Sequence, residues 1–120
     1  MTFKELGVSE EIIKGLKEMG IVSPTKIQEA SIPVLSEGTM DFVGQAQTGT
    51  GKTAAFGLPL LSQIDPSKDH VQALILAPTR ELGQQIAKQL FKFTKYTDKI
   101  FTEAVYGGEK IDIQISKLKR

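Results

Sequence analysis

The sequence predicts an α/β fold in which a parallel sheet is flanked by helices. Short apolar runs at residues 40–43, 73–77 and 101–106 have the length and composition of strands, and the second is typical of a strand covered on both faces. Segments with the apolar spacing of helices separate these runs. This alternation favours parallel pairing with right-handed crossovers. Glycine-rich or polar residues follow each run, at the edge where parallel sheets bind ligands.

Capping signals and apolar spacing position the helices. The pattern predicts helices after Ser9, after Thr25, over 54–64 and over 81–93, and a last helical face formed by Ile111, Ile115 and Leu118. Gly20 is a stop signal for the first helix. Pro33 is expected to kink or restart the second helix, and Pro59 to disturb the third, because proline lacks a backbone N–H.

Composition limits the functions open to this chain of 120 residues, which is one domain or part of one. The net charge of +1 neither indicates nor excludes a nucleic-acid partner. The absence of cysteine excludes disulfides and thiolate metal sites, and a lone His70 cannot build a metal site. We find no signal peptide and no apolar run long enough for a membrane span, so we expect no membrane partner and a cytoplasmic location.

Residues 46–53, AQTGTGKT, match a phosphate-binding loop with alanine in place of the usual first glycine. Glycines allow backbone N–H groups to turn toward an anion, and the N-terminus of the next helix adds partial positive charge. Lys52 supplies a full positive charge for the terminal phosphates, and Thr53 offers a hydroxyl group to Mg²⁺. The alternative is a flexible turn with a solvated lysine. The pattern alone predicts only that a phosphorylated ligand binds.

Several motifs in one order make the prediction more specific: Phe3, GIVSPTKIQ at 20–28, AQTGTGKT at 46–53, APTREL at 77–82 and GG at 107–108. Together they resemble the N-terminal part of the DEAD-box ATP-dependent RNA helicases over essentially the whole chain. The resemblance implies an incomplete P-loop NTPase domain of the RecA-like type. It also implies a helical segment with the Q motif at 1–38 and a partial ATP-binding domain at 39–120.

The resemblance implies roles for residues that bind ATP and Mg²⁺. Gln28 of the Q motif is expected to recognise adenine, because a glutamine amide can accept from N6 and donate to N7. Phe3 resembles an aromatic residue that stacks on the base, although a core position is equally open. Lys52 and Thr53 are the catalytic candidates, with Thr53 toward Mg²⁺. The implied nucleotide-binding set is Phe3, Thr25, Gln28, Ala46, Gln47, Thr48, Gly49, Thr50, Gly51, Lys52 and Thr53.

The resemblance also implies contacts with the RNA backbone, without sequence specificity. The implied RNA-binding residues are Pro78, Thr79, Arg80, Gly107 and Gly108. Thr79 caps a helix, so the helix N-terminus and Arg80 can meet a phosphate, while the glycine pair permits close approach. The alternatives are a capped helix with Arg80 in a surface ion pair, and a simple turn at the glycines.

Other groups that the family uses are absent from this sequence. It contains no Asp-Glu-Ala-Asp motif, no Ser-Ala-Thr motif and no second RecA-like domain with arginine fingers. We therefore expect a parent protein that couples ATP hydrolysis to local unwinding of RNA, and a fragment that is inactive alone and associates through open sheet edges. A P-loop enzyme of another class and a non-catalytic nucleotide- or RNA-binding module remain alternatives.

Overall fold

The computed structural model describes residues 1–46, 51–98 and 100–119. Within these ranges the regular structure is helical: α1 Glu10–Glu18, α2 Lys26–Glu37, α3 Lys52–Ser62, α4 Arg80–Phe93 and α5 Ile111–Leu118. All of the predicted helices are present, with ends that differ by a few residues from the predicted ones.

Three of the helices begin at a side-chain cap. The hydroxyl groups of Ser9, Thr25 and Thr79 accept hydrogen bonds from the backbone N–H of the residue three positions later. These bonds satisfy donors that a helix leaves without an internal partner. The capping predictions at all three positions are confirmed.

The two prolines do not divide their helices. Pro33 lies within α2 and Pro59 within α3, and each helix is a single element. The expectation that Pro33 restarts the second helix is therefore wrong. Packing of α2 on α3 holds both helices together despite the hydrogen bond that each proline removes.

The parallel sheet is not confirmed. The segments 40–43, 73–77 and 101–106 contain neither helix nor strand, and no backbone hydrogen bond joins these described segments to one another. Their side chains nevertheless alternate. From Phe101 to Tyr106 every second residue is exposed, and Ile75 and Ile100 pack against the core while Leu76 is 86% exposed. One side of the segment around Ile75, together with Ile100, thus packs against the helical core.

A single hydrophobic core joins the N-terminal segment to the helices that follow. Its buried members are Phe3, Leu6, Val8, Ile12, Leu16, Ile32, Ala54, Leu58, Leu61, Leu90 and Phe93. α2 packs on α3, and α1 packs on the end of α4. A Cβ atom at Gly15 would lie 2.9 Å from the carbonyl oxygen of Phe93, so only glycine permits this approach of α1 to α4. This core sets the position of α3 relative to α2, and hence the candidate site. No helix among the described residues is long and apolar enough to cross a bilayer.

Candidate functional site

The Q-motif residues form a capping box at the start of α2. The Thr25 hydroxyl accepts from the Gln28 N–H at 3.4 Å, and the Gln28 side-chain oxygen accepts from the Thr25 N–H at 3.0 Å. This reciprocal pair satisfies two backbone donors at the helix start. Thr25 and Gln28 therefore have a structural role that needs no ligand.

Gln28 also connects α2 to the start of α3. Its side-chain nitrogen donates to the Gly51 carbonyl at 3.1 Å, and the residue is only 2% exposed. A Cβ atom at Gly51 would collide with that nitrogen and would lie 3.3 Å from Thr25 Oγ1. Gly51 also has φ +84°, a left-handed conformation that glycine adopts easily. The structure thus brings the Q motif against the last glycine of the predicted phosphate-binding loop.

The N-terminus of α3 has no side-chain cap among the described residues. Lys52 and Thr53 occupy its first two positions; Lys52 is exposed and Thr53 is half-buried. Uncapped N–H groups, a helix dipole and a lysine suit an anionic ligand. Ala46 is half-buried before this helix. The predicted loop residues Gln47, Thr48, Gly49 and Thr50 lie outside the described residues.

Phe3 lies in the hydrophobic core. It is 2% exposed and clusters with residues of α1, α2, α3 and α4. The core alternative accounts for this side chain in the structure. Stacking on a base would require the ring to leave that cluster, and this role stays a prediction.

The predicted RNA-binding residues come together at the start of α4. Pro78, Thr79 and Arg80 are exposed. The Arg80 Nη1 atom lies 3.5 Å from the Gly107 carbonyl oxygen, and a Cβ atom at Gly108 would lie 3.0 Å from the same nitrogen. Gly108 has φ +92°. Residues that are 27 positions apart in sequence thus form one exposed cluster, with a guanidinium group on its surface.

Two further residues complete this cluster, and the sequence motifs did not include them. The Arg80 guanidinium carbon lies 5.6 Å from the centre of the Tyr106 ring, within the range of a cation–π contact. Gln114 of α5 binds the backbone of residues 106 and 109. The neighbouring Tyr106 side chain and a hydrogen bond from the Lys117 ammonium group lower the pKa of the Glu109 carboxyl group. The available sequence signal was Gln114 itself, a polar residue on the apolar face of the last helix.

The described ranges contain no group of three or more histidine, cysteine, aspartate or glutamate side chains that could hold a metal ion. Thr53, the predicted Mg²⁺ ligand, is the second residue of α3, whose N-terminus has no side-chain cap among the described residues. This geometry fits a metal ion that is held mainly by phosphate oxygens.

Comparison with known sequences agrees with these motifs. The profile of the DEAD/DEAH box helicases matches residues 25–120. An ATP-dependent RNA helicase DeaD of Haemophilus influenzae is 48% identical over 120 residues, which is 100% of this chain and 19% of that protein. An ATP-dependent RNA helicase CshA of Listeria monocytogenes is 51% identical over 118 residues, covering 98% of this chain and 22% of that protein.

Solved structures show the same fold. A DEAD box protein from the hyperthermophile Methanococcus jannaschii superposes with a TM-score of 0.85 at 36% identity, covering 99% of this chain and 32% of that one. The yeast (S. cerevisiae) protein Dbp5, bound to RNA and ADP BeF3, matches with a TM-score of 0.78 at 32% identity, covering 99% of this chain and 35% of that one. This chain therefore spans about a fifth of the curated relatives in length and about a third of the solved structures.

Proposed function

This chain belongs to the DEAD/DEAH box helicase family, and we propose that it supplies the adenine-nucleotide site and part of the RNA-backbone site of an ATP-dependent RNA helicase. The observation that supports this most directly is the hydrogen bond from Gln28 to the Gly51 carbonyl. That bond joins the segment expected to recognise the base to the segment expected to hold the phosphates. A flexible glycine turn with a solvated lysine would not need it.

The phosphate part of the proposed site is the start of α3. Its uncapped N–H groups and the Lys52 ammonium group would bind the phosphate oxygens, together with the loop before Gly51. The Thr53 hydroxyl would be a ligand of Mg²⁺, which when bound neutralises phosphate charge. We propose Lys52 and Thr53 as the catalytic residues of the longer protein.

The base part of the proposed site is Gln28. Within the described residues its carboxamide accepts one hydrogen bond through oxygen and donates one through nitrogen, and a carboxamide can accept one more and donate one more. These are the groups that adenine needs, whereas guanine presents an acceptor where adenine presents the N6 donor. Because Gln28 is 2% exposed, a base would have to reach it by moving neighbouring atoms.

We propose that the RNA backbone binds at the exposed cluster around Arg80, which includes Thr79, Gly107 and Gly108 and is called the Arg80 cluster. Yeast Dbp5 has been solved with RNA, and this chain shares its fold. In the longer protein we expect segments 40–43, 73–77 and 101–106 to pair as a parallel sheet, with a second RecA-like domain and the Asp-Glu-Ala-Asp motif completing the site. The boundary between residues 38 and 39, and the cytoplasmic location, stay predictions.

Nucleotide titration tests the proposal. We expect a fluorescent ADP analogue to bind this chain weakly and to be displaced by ATP much better than by GTP. The Lys52→Ala variant should not bind the analogue. Lys68→Ala, an exposed lysine in the connection between α3 and the next segment, is the matched control and should bind normally. Equal displacement by GTP and ATP would argue for another class of P-loop protein.

A hydrolysis assay tests the catalytic part of the proposal. We expect no phosphate release by these 120 residues above a Lys52→Ala background, because they contain no Asp-Glu-Ala-Asp motif, and an aspartate of this kind helps to hold Mg²⁺ in P-loop NTPases. A longer protein with this sequence should hydrolyse ATP in the presence of RNA. Turnover by the short chain well above its Lys52→Ala variant would contradict the proposal.

A further inference from the structure

The residue of α5 that is buried is a glutamine. Gln114 is 9% exposed, whereas Ile111 and Leu118 on the same helix are 70% and 52% exposed. Burying a polar amide while apolar neighbours face solvent is unfavourable unless the amide is fully hydrogen-bonded. The position of Gln114 therefore depends on the bonds that it makes.

The Gln114 carboxamide binds the backbone on both sides of the glycine pair. Its oxygen accepts from the Tyr106 N–H at 2.7 Å, and its nitrogen donates to the carbonyl groups of Tyr106 at 3.0 Å and Glu109 at 3.3 Å. A carboxamide has the donor and acceptor of a peptide group, so Gln114 occupies the place of a neighbouring strand at Tyr106. A second contact from α5, Lys117 to Glu109 at 3.3 Å, holds the far end of the same loop.

The loop that Gln114 holds is the one that contacts Arg80. The guanidinium group lies over the Tyr106 ring at 5.6 Å and has Nη1 3.5 Å from the Gly107 carbonyl oxygen. A bond of that length is weak, so the guanidinium position depends mainly on where the ring and the loop backbone lie. Because Gln114 fixes both backbone groups of Tyr106, it limits where the ring can be.

We propose that Gln114 is a positioning residue for RNA binding: it holds the loop 106–109 so that the Arg80 guanidinium and the loop's exposed backbone present one surface to a phosphodiester. Gln114 itself does not touch RNA. The inference rests on the proposed function, since it assigns a new residue to the same RNA site.

A double-mutant cycle in the full chain tests this role, with affinity for a fluorescent single-stranded RNA as the measurement. Gln114→Ala and Arg80→Ala should each weaken binding about tenfold, which is about 1.4 kcal/mol and near the low end for one hydrogen bond to a charged group. If Gln114 acts partly through Arg80, the two effects overlap, and the double variant should bind much less than about a hundredfold more weakly than the wild type. A purely structural role predicts effects that multiply.

Matched variants separate positioning from folding. Gln114→Met keeps the length and apolar stem of the side chain but removes its hydrogen bonds, and should bind RNA as poorly as Gln114→Ala. The control is Ser116→Ala on the same helix, where the wild-type hydroxyl donates to the Asp112 carbonyl. This control should bind RNA like the wild type.

Hydrogen exchange gives a readout that needs neither a variant nor RNA. In the wild type the Tyr106 amide should be protected, because its partner is the Gln114 side chain. Rapid exchange of that amide would overturn the inference. So would a Gln114→Met variant that binds RNA as tightly as the wild type, or a double variant whose loss of affinity is the product of the two single losses. If Arg80→Ala alone leaves RNA affinity unchanged, the proposed RNA site itself is wrong. If Arg80→Ala weakens binding and the Gln114 variants do not, only the role of Gln114 is wrong.

Discussion

At the scale of single residues, Gln28 shows how one side chain serves local structure and the proposed site at once. Its oxygen completes the capping box with Thr25, and its nitrogen reaches Gly51, 23 residues later. A substitution at Gln28 would therefore affect the helix start and the loop together. Loss of nucleotide binding in such a variant would not by itself show that Gln28 contacts the base.

Gly51 offers a cleaner test of the same junction. In Gly51→Ala, the left-handed conformation alone should cost about 1–2 kcal/mol, and the new methyl group should displace the Gln28 carboxamide. We expect lower stability in urea and loss of nucleotide binding.

Gly20→Ala is the matched control for Gly51→Ala. Gly20 has nearly the same backbone conformation, φ +79° against +84°, but nothing lies within 4 Å of its Cβ position. It should lose similar stability and keep nucleotide binding. Equal binding by both variants would show that the contact between Gln28 and Gly51 is not needed.

At the scale of elements, the prolines in α2 and α3 differ in burial. Pro33 is exposed and Pro59 is less than 2% exposed, although both lie inside helices. Each removes a helical hydrogen bond, and a proline in a helix interior costs up to about 3 kcal/mol relative to alanine. Only the buried Pro59 ring offsets part of this free-energy cost through packing.

Alanine substitutions should therefore have unequal effects at the two prolines. We expect Pro33→Ala to raise the free energy of unfolding by roughly 1–3 kcal/mol, while Pro59→Ala gains less because the smaller side chain leaves a cavity. Urea unfolding of both variants measures this difference. An equal or larger gain in Pro59→Ala would show that packing of the buried ring contributes little.

The contact between α1 and the residues just after α4 joins three titratable side chains. Glu18 accepts hydrogen bonds from the Tyr96 hydroxyl and the Lys95 ammonium group, and these lower its pKa below 4.5. The same bonds raise the pKa of Tyr96 above 10.0 and that of Lys95 above 10.5. A group whose pKa is lowered on folding stabilises above its unfolded pKa and loses that contribution as pH falls through the folded value. For Tyr96 and Lys95 the contribution is full below the unfolded pKa and is lost as pH rises through the folded one.

We expect this cluster to contribute between these two limits. As pH falls below 4.5, the free energy of unfolding of the wild type should decrease slightly. The Glu18→Gln variant lacks the carboxylate, so it should not show this decrease. Unfolding in urea at several pH values compares the two, with Glu11→Gln, an exposed glutamate on the same helix, as the control. The expectation fails if Glu18→Gln has the same acid dependence as the wild type.

At the scale of the whole molecule, some apolar side chains near the helical core are buried against it and their neighbours are exposed to solvent. Ile75 and Ile100 pack against the helical core, while Leu74, Leu76 and Phe101 are 77%, 86% and 79% exposed. Exposed apolar side chains of this kind favour association. In a longer protein of this family we expect further chain to cover it.

The short chain should therefore self-associate. We expect the double substitution Leu74→Thr, Leu76→Thr to shift sedimentation toward monomer and to change the free energy of unfolding by less than about 0.5 kcal/mol. Ile75→Thr between them, whose side chain packs on the core, should instead lose roughly 1–3 kcal/mol of stability. A wild-type chain that stays monomeric at every concentration tested would contradict this.

Local signals predicted the helices well because their causes are local. Ser9, Thr25 and Thr79 cap their helices through bonds to residues three positions away, so the pattern is complete within one turn. The expected restart at Pro33 was wrong because packing between α2 and α3 outweighs the local penalty. The strands stayed unconfirmed because a strand needs a hydrogen-bonded partner that its own residues cannot supply.

By itself, the sequence determined the helices, their caps and the motifs that assign this chain to its family. Only the tertiary structure decided that Phe3 is buried, that Gln28 meets Gly51, and that Gln114 holds the loop beside Arg80. The reason is distance along the chain. A cap forms with a neighbour in sequence, whereas these contacts form between segments that only the packing of helices on one shared core brings together.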